Sequence, residues 1–167
     1  MSLELVPSKP EHVPELGRIC YEAFKDISDR HGFPADFDSG GMARMVIGML
    51  VQSKNHYSVT AMLDGQPVGS NFLLVSDEVS SVGPITIEVP CQGQGVGRAL
   101  MEDVIAQARK SNFESIRLLQ DSFNMGSLAL YASLGFDTKE PCALMRPAVS
   151  CHVTSRLRAK AETDDTT

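Results

Sequence analysis

The feature that most constrains this chain is a change of hydrophobic period around three closely spaced glycines. Ile85-Thr86-Ile87-Glu88-Val89 alternates, Gly93, Gly95 and Gly97 follow, and Val96, Ala99, Leu100, Val104 and Ile105 then recur at helical spacing. A period of 2 that becomes 3.6 across glycines describes a strand, a tight turn and a helix.

The start of that helix lacks the usual chemistry. No Ser, Thr, Asp or Asn stands between Cys91 and Arg98 to accept the first backbone N–H groups, which a helix of this length needs. Arg98 falls in the first turn, where the macrodipole disfavours a cation. An anion held in the turn resolves both problems, accepting the N–H groups and pairing with the arginine, while the glycines let the backbone approach it. A dinucleotide fingerprint is excluded because Arg98 occupies the position of its third glycine, and no G-x-x-x-x-G-K-[ST] loop occurs. A glycine-rich connection that binds nothing is the competing reading of this segment.

Around this unit the periodicities predict a first strand over residues 3–6, then a helix opened by Ser8 as cap with Glu11 completing a capping box and ending near His31-Gly32. Residues 33–41 read as a loop whose Phe33 and Phe37 either border a groove or tuck into the core. A second helix follows, its Met42, Met45 and Met49 expected to fill that core. Tyr57–Leu63 and Val68–Val75 form a hairpin about Asp64-Gly65, and a central strand runs from Val82 onward. Beyond the glycines come a helix over 96–112, a strand over 115–119 parallel to the central one, a helix over 124–134 ended by Gly135, and further strands at Phe136-Asp137 and 143–145. From about residue 148 the composition offers little to bury, which predicts one domain over 1–147 and a mobile polar tail over 148–167.

At 167 residues the chain suits one domain with a sizeable core. A net charge of −6 without clustered Lys and Arg argues against a nucleic-acid partner. The cysteines at 20, 91, 142 and 151 have no metal-ligand spacing and read as free thiols, and His12, His31, His56 and His152 fall on expected surface segments. Neither a leader nor a membrane span is legible, so the expected location is cytoplasmic.

Two motifs carry a resemblance. Gln92-x-x-Gly95-x-Gly97 resembles the pyrophosphate-binding signature of the GNAT acetyltransferase superfamily, [RQ]-x-x-G-x-[GA]. Asn124-x-x-Ser127-x-x-Leu130-Tyr131-x-x-Leu134-Gly135-Phe136 resembles its second signature at the Asn, small residue, Tyr, Gly and Phe. The resemblance spans residues 3–146 and implies an α+β fold with a mixed, splayed central sheet flanked by helices. It implies an acetyl-CoA-dependent N-acetyltransferase acting on a primary amine of a small molecule or peptide by direct attack. In that reading the amides of Gly93, Gln94, Gly95, Val96, Gly97 and Arg98, with Gln92, hold the pyrophosphate. The backbone of Ile85 and Ile87 and the side chain of Asn124 hold the pantetheine, a main-chain N–H near Ile87 polarises the carbonyl, and Tyr131 protonates the departing thiolate. Periodicity alone leaves Tyr131 equally readable as a core residue with a satisfied hydroxyl; the resemblance favours the catalytic role.

The sequence departs from the family pattern in two ways. Ile87-Glu88-Val89 stands where Val-x-Pro is common, with the proline displaced to Pro90. Leu119 occupies the position, five before Asn124, where some members carry a basic carboxylate. The base candidates are therefore Glu88 first, then Asp121, Asp77 and Glu78, or a relay of water. Cys91 has no nearby His in the motifs and reads as a small apolar residue rather than a nucleophile. No metal is implied. The alternative function is a silent acyl-CoA-binding sensor of the same fold. The acids at 36, 38, 77 and 78 lean toward a cationic acceptor, and an exposed strand edge would suit a homodimer.

Overall fold

The computed structural model describes residues 2–75, 79–111 and 113–142. In chain order the elements are β1 (Leu3–Pro7), α1 (Val13–His31), α2 (Gly40–Gln52), β2 (His56–Leu63), β3 (Gln66–Leu74), β4 (Val79–Ser81), β5 (Thr86–Ile87), α3 (Val96–Lys110), β6 (Ser115–Arg117) and α4 (Met125–Ser133), with 3-10 turns at Pro10–His12 and Val89–Cys91. The chain divides into a unit over residues 1–137 and another over 138–167. The expected boundary at 147/148 and the strand at 143–145 lie outside the described residues, as do Asp77, Glu78, Cys151 and His152. Phe136-Asp137 is not a strand.

The first unit is built on an antiparallel sheet in the order β1-β2-β3-β5 and a parallel pair, β4 with β6, joined to it by a bridge between Leu73 and Val82. Asp64 and Gly65, both with positive φ (48° and 81°), make the tight turn of the β2–β3 hairpin. Alternation along β3 then sends successive side chains to opposite faces. Phe72 packs with Leu16, Ile19, Ala43 and Ile47 under α1 and α2, whereas Leu73 packs with Leu100, Met101 and Val104 under α3. Burial of each such side chain is worth about 1.5–3 kcal/mol, so the sheet is clamped from both sides.

Three expectations about this frame are corrected. Ser8 does not cap α1; its hydroxyl meets Thr60 at 2.9 Å, and Lys9 leads into the 3-10 turn instead. His12 is buried, its Nδ1 3.2 Å from Thr60 Oγ1 and accepting from the Lys9 amide. Met42, Met45 and Met49 are exposed rather than core. The cause is the closeness of the helix crossing: a Cβ on Gly17 would lie 2.6 Å from Arg44 Cα, so the inner face of α2 carries Ala43, Ile47 and Gly48 and turns the methionines outward.

Candidate functional site

The predicted central strand is broken, and the break creates the site. The first half, β4, pairs in parallel with β6, and the Val82 amide donates to the Arg117 carbonyl at 2.8 Å. Gly83, with φ 121°, and Pro84, which has no N–H, end that pairing. Among the described residues the second half, β5, pairs with β3 alone, through Ser70 opposite Thr86 and Gly69 opposite Ile87, and the Glu88 amide donates to the Val68 carbonyl at 2.8 Å. The chain after Val82 and the chain after Arg117 therefore run in the same direction with no hydrogen bonds between them, leaving a gap in the sheet. Because Thr86 and Glu88 face β3, the backbone of Ile85 and Ile87 faces the gap. The Ile87 carbonyl accepts from Gln92 Nε2 at 3.1 Å, so the Gln92 side chain braces the strand that leads into the glycine turn.

At the end of β5 the turn has the open form that the missing cap requires. Gly95, with φ 88°, is the N-cap of α3 and no side chain caps it; Gly93 has φ 74°. Among the described residues the backbone N–H groups of Gly93, Gln94, Gly95, Val96, Gly97 and Arg98 have no protein acceptor. A Cβ on Gly93 or Gly95 would meet nothing within 4 Å, whereas one on Gly97 would come to 3.3 Å from Ile87 Cδ1 and 3.4 Å from Leu130 Cδ2. Gly97 is thus the packing glycine that seats α3 against β5 and α4, while the other two shape the cradle. The Gln94 side chain reaches back to the Pro90 carbonyl at 2.8 Å. Arg98 donates to Ser133 Oγ at 2.7 Å and lies near Glu102 at 3.7 Å, tying the start of α3 to the end of α4.

Glu88 leaves the strand on the α1 side. Its Oε1 lies 2.6 Å from Arg18, whose guanidinium also holds Glu15 and Glu22, and its Oε2 is 3.8 Å from Cys91 Sγ. Arg18 holds Glu15 below the usual carboxylate range, and its own pKa is raised by Glu15 first and Glu88 next. The Cys91 thiol is pushed up by burial and by the Glu88 charge, the reverse of what a nucleophile needs. Arg18 was not legible as a site residue; only its helix neighbours Glu15 and Glu22 stand at pairing distance in the sequence.

The second motif folds into α4. Asn124 Oδ1 accepts from the Ser127 amide at 3.2 Å, so the Asn-x-x-Ser spacing is a helix cap that leaves the Asn124 amide nitrogen free to donate. At the other end, Gly135 with φ 89° donates to Ala132 and Phe136 donates to Tyr131, a Schellman closure. Tyr131 is 7% exposed under α3. Its phenol is raised above the usual value by burial, which a hydrogen bond with Ser127 partly offsets. Across the gap, Leu119 is 83% exposed and Gln120 Oε1 is buried with no partner. Phe123 is stacked by Phe33 from the α1–α2 loop, with centroids 4.2 Å apart, and approached by His31 at 5.3 Å. Phe37 instead packs edge-on against Phe24 at 5.5 Å.

Comparison with known proteins agrees with this geometry. The model of the acetyltransferase (GNAT) family matches residues 16–136. No curated protein sequence matches the chain. Among solved structures, the ribosomal-protein-S18-alanine N-acetyltransferase from Escherichia coli is similar with TM-score 0.66 and 22% identity, covering 83% of this chain and 80% of that one. An aminoglycoside acetyltransferase from an uncultured soil metagenomic sample gives 0.63 and 21%, covering 90% and 100%. PaiA N-acetyltransferase from Thermoplasma acidophilum, in complex with coenzyme A, gives 0.69 and 14%, covering 85% and 94%. Identities this low speak for the fold alone.

Proposed function

The chain belongs to the acetyltransferase (GNAT) family, and from that premise we propose that it moves the acetyl group of acetyl-CoA to a primary amine by direct attack on the thioester. The observation that carries this reading is the set of N–H groups from Gly93 to Arg98 without protein acceptors, at the end of a strand whose Ile85 and Ile87 backbone faces a gap. Amides so arranged suit a diphosphate, and the open edge suits an extended amide-bearing arm added like a strand. The Asn124 amide nitrogen, left over by the cap, offers a donor at the start of α4.

In the reaction the amine nitrogen bonds to the carbonyl carbon, the C–S bond breaks, and the thiolate takes the Tyr131 proton. A thiol near 8.5 and a phenol near 10 make that transfer uphill by about 2 kcal/mol at ordinary values. Burial raises the phenol further, which keeps it protonated and available as the acid. Glu88, the first base candidate, has Arg18 on one oxygen and Cys91 near the other. That engagement suits a carboxylate that anchors the turn, and water is then the acceptor of the amine's proton. The same observation, with Leu119 lacking a carboxylate, favours the second reading, a sensor that binds acyl-CoA without turnover.

The test is calorimetry with acetyl-CoA followed by thiol release over an amine panel. Binding with turnover on at least one amine, and a Tyr131→Phe variant that keeps affinity and loses tenfold or more in kcat, supports the enzyme. Binding with no turnover on any amine supports the sensor, and the absence of binding overturns both.

A further inference from the structure

Three hydroxyl-bearing side chains stand abreast across the sheet. Thr60 on β2 pairs with Ser70 on β3, and Ser70 pairs with Thr86 on β5, so the three share one face. That face is the α1 side. Ser70 stands two residues from Phe72, which packs under α1 and α2, while Val59, Ala61 and Ile87, the chain neighbours of Thr60 and Thr86, pack under α3. The row is a polar line through an apolar layer, and all three residues are buried, Ser70 at 0% exposure and Thr86 at 3%. At one end it is satisfied: Thr60 Oγ1 meets Ser8 Oγ at 2.9 Å and His12 Nδ1 at 3.2 Å. At the other end, Ser70 Oγ and Thr86 Oγ1 have no hydrogen-bond partner among the described residues.

Two orphaned hydroxyls opposite one another, closed to bulk solvent, call for a small shared partner. Opposed residues hold their Cβ atoms about 4.5–5.5 Å apart. Two oxygens that share one water stand about 4.6 Å apart, as two bonds of about 2.8 Å at a tetrahedral angle give, so a strand spacing that leaves the hydroxyls unbonded to each other is the spacing one bridging water fills. We propose that Ser70 and Thr86 bind a buried water that ties β5 to β3 from the α1 side. Resting on the acetyltransferase reading above, the pair are positioning residues for the strand whose Ile85 and Ile87 backbone takes the acyl-CoA arm. The need for such a tie is local: β5 is two residues long, Thr86–Ile87, and its ladder with β3 carries little else to fix its pitch.

The test measures the water and the reading separately. Without CoA, thermal midpoints of the full chain are compared by calorimetry for Thr86→Val, Ser70→Ala and the double variant. A hydroxyl with nothing to bond gains from replacement by a methyl group, whereas one that shares a water leaves its partner orphaned, so the midpoint of Thr86→Val should fall by about 2–4 °C. Because both hydroxyls hold the same water, each substitution should cost far less in the presence of the other than alone. A crystal structure of the unliganded protein should show one water within hydrogen-bond distance of both oxygens, lost in Thr86→Val. A midpoint that rises in Thr86→Val, additive shifts, or no water between the two oxygens overturns the water site. CoA affinity reads the positioning: Thr86→Val should weaken it about threefold or more, and Thr86→Ser, which keeps the hydroxyl, should return it to within about twofold of the unaltered chain. An affinity that does not move, or that Thr86→Ser does not restore, overturns the positioning role. If the unaltered chain binds no CoA, the acetyltransferase reading fails, and the midpoints and the crystal structure still decide the water.

Discussion

Replacing Gly95 by alanine tests the cradle directly, because the structure separates its two consequences. Gly95 has φ 88° and ψ −9°, a left-handed conformation that costs an L side chain about 1–2 kcal/mol. A Cβ there meets no atom within 4 Å, so no steric term is added in the unliganded protein. For a chain of this size the thermal midpoint should fall by about 2–8 °C, read by calorimetry. Binding should suffer on a different scale. If the neighbouring amides donate to a diphosphate, relaxing the backbone away from this conformation loses at least one hydrogen bond to a charged oxygen, worth about 1.5–3 kcal/mol. The dissociation constant for CoA should then rise by about 10- to 150-fold. A midpoint that falls as expected with an unchanged CoA affinity would refute the reasoning, because the strain would be present and the cradle would be unused.

Two further substitutions and a change of pH probe the frame. Gly69→Ala places a Cβ 2.6 Å from the Thr86 carbonyl oxygen, in the ladder that holds β5 to β3; it should cost about 1–3 kcal/mol or more and weaken CoA binding. Gly41→Ala, whose nearest neighbour is Ser39 Oγ at 3.6 Å, should be neutral or stabilising, so comparable losses in the two variants would discount the argument. Alkaline pH should destabilise the fold through Cys20, fully buried and pushed up to about 12 by desolvation first and by Asp36 next. The folded thiol keeps its proton where the unfolded thiol loses it, so stability is whole below about pH 9 and declines toward pH 12, by about 1.4 kcal/mol per pH unit. Tyr57 and Tyr131, also raised by burial, add losses of the same sign above about pH 10. Denaturant midpoints that stay flat from pH 9 to 11 would contradict this.

What the sequence disclosed and what it concealed divide along a physical line. The uncapped helix start was legible because capping is local: the absence of an acceptor between Cys91 and Arg98 is visible in eight residues, and Gly95 duly stands as an N-cap with no side-chain cap. The hairpin at Asp64-Gly65 and the Schellman closure at Gly135 were legible for the same reason. The gap was not, since an alternating run cannot say which neighbour each half pairs with. Only the three-dimensional ladder shows β4 given to β6 and β5 to β3.

The outward methionines of α2 and the Arg18–Glu88 ion pair share that opacity. Each is decided by a partner 27 or 70 residues away: Gly17 for the crossing that turns the methionines out, Arg18 for the carboxylate. The lesson bears on Glu88 in particular. Its type and its place beside the gap recommend it as a base, and neither property records that a guanidinium from α1 stands 2.6 Å from it. If that ion pair fixes the strand end rather than the chemistry, Glu88→Gln should loosen CoA binding and leave the pH profile of kcat where it was. A lost acidic limb in that variant, with affinity intact, would instead return Glu88 to the role of base and require Arg18 to release it when the acceptor arrives.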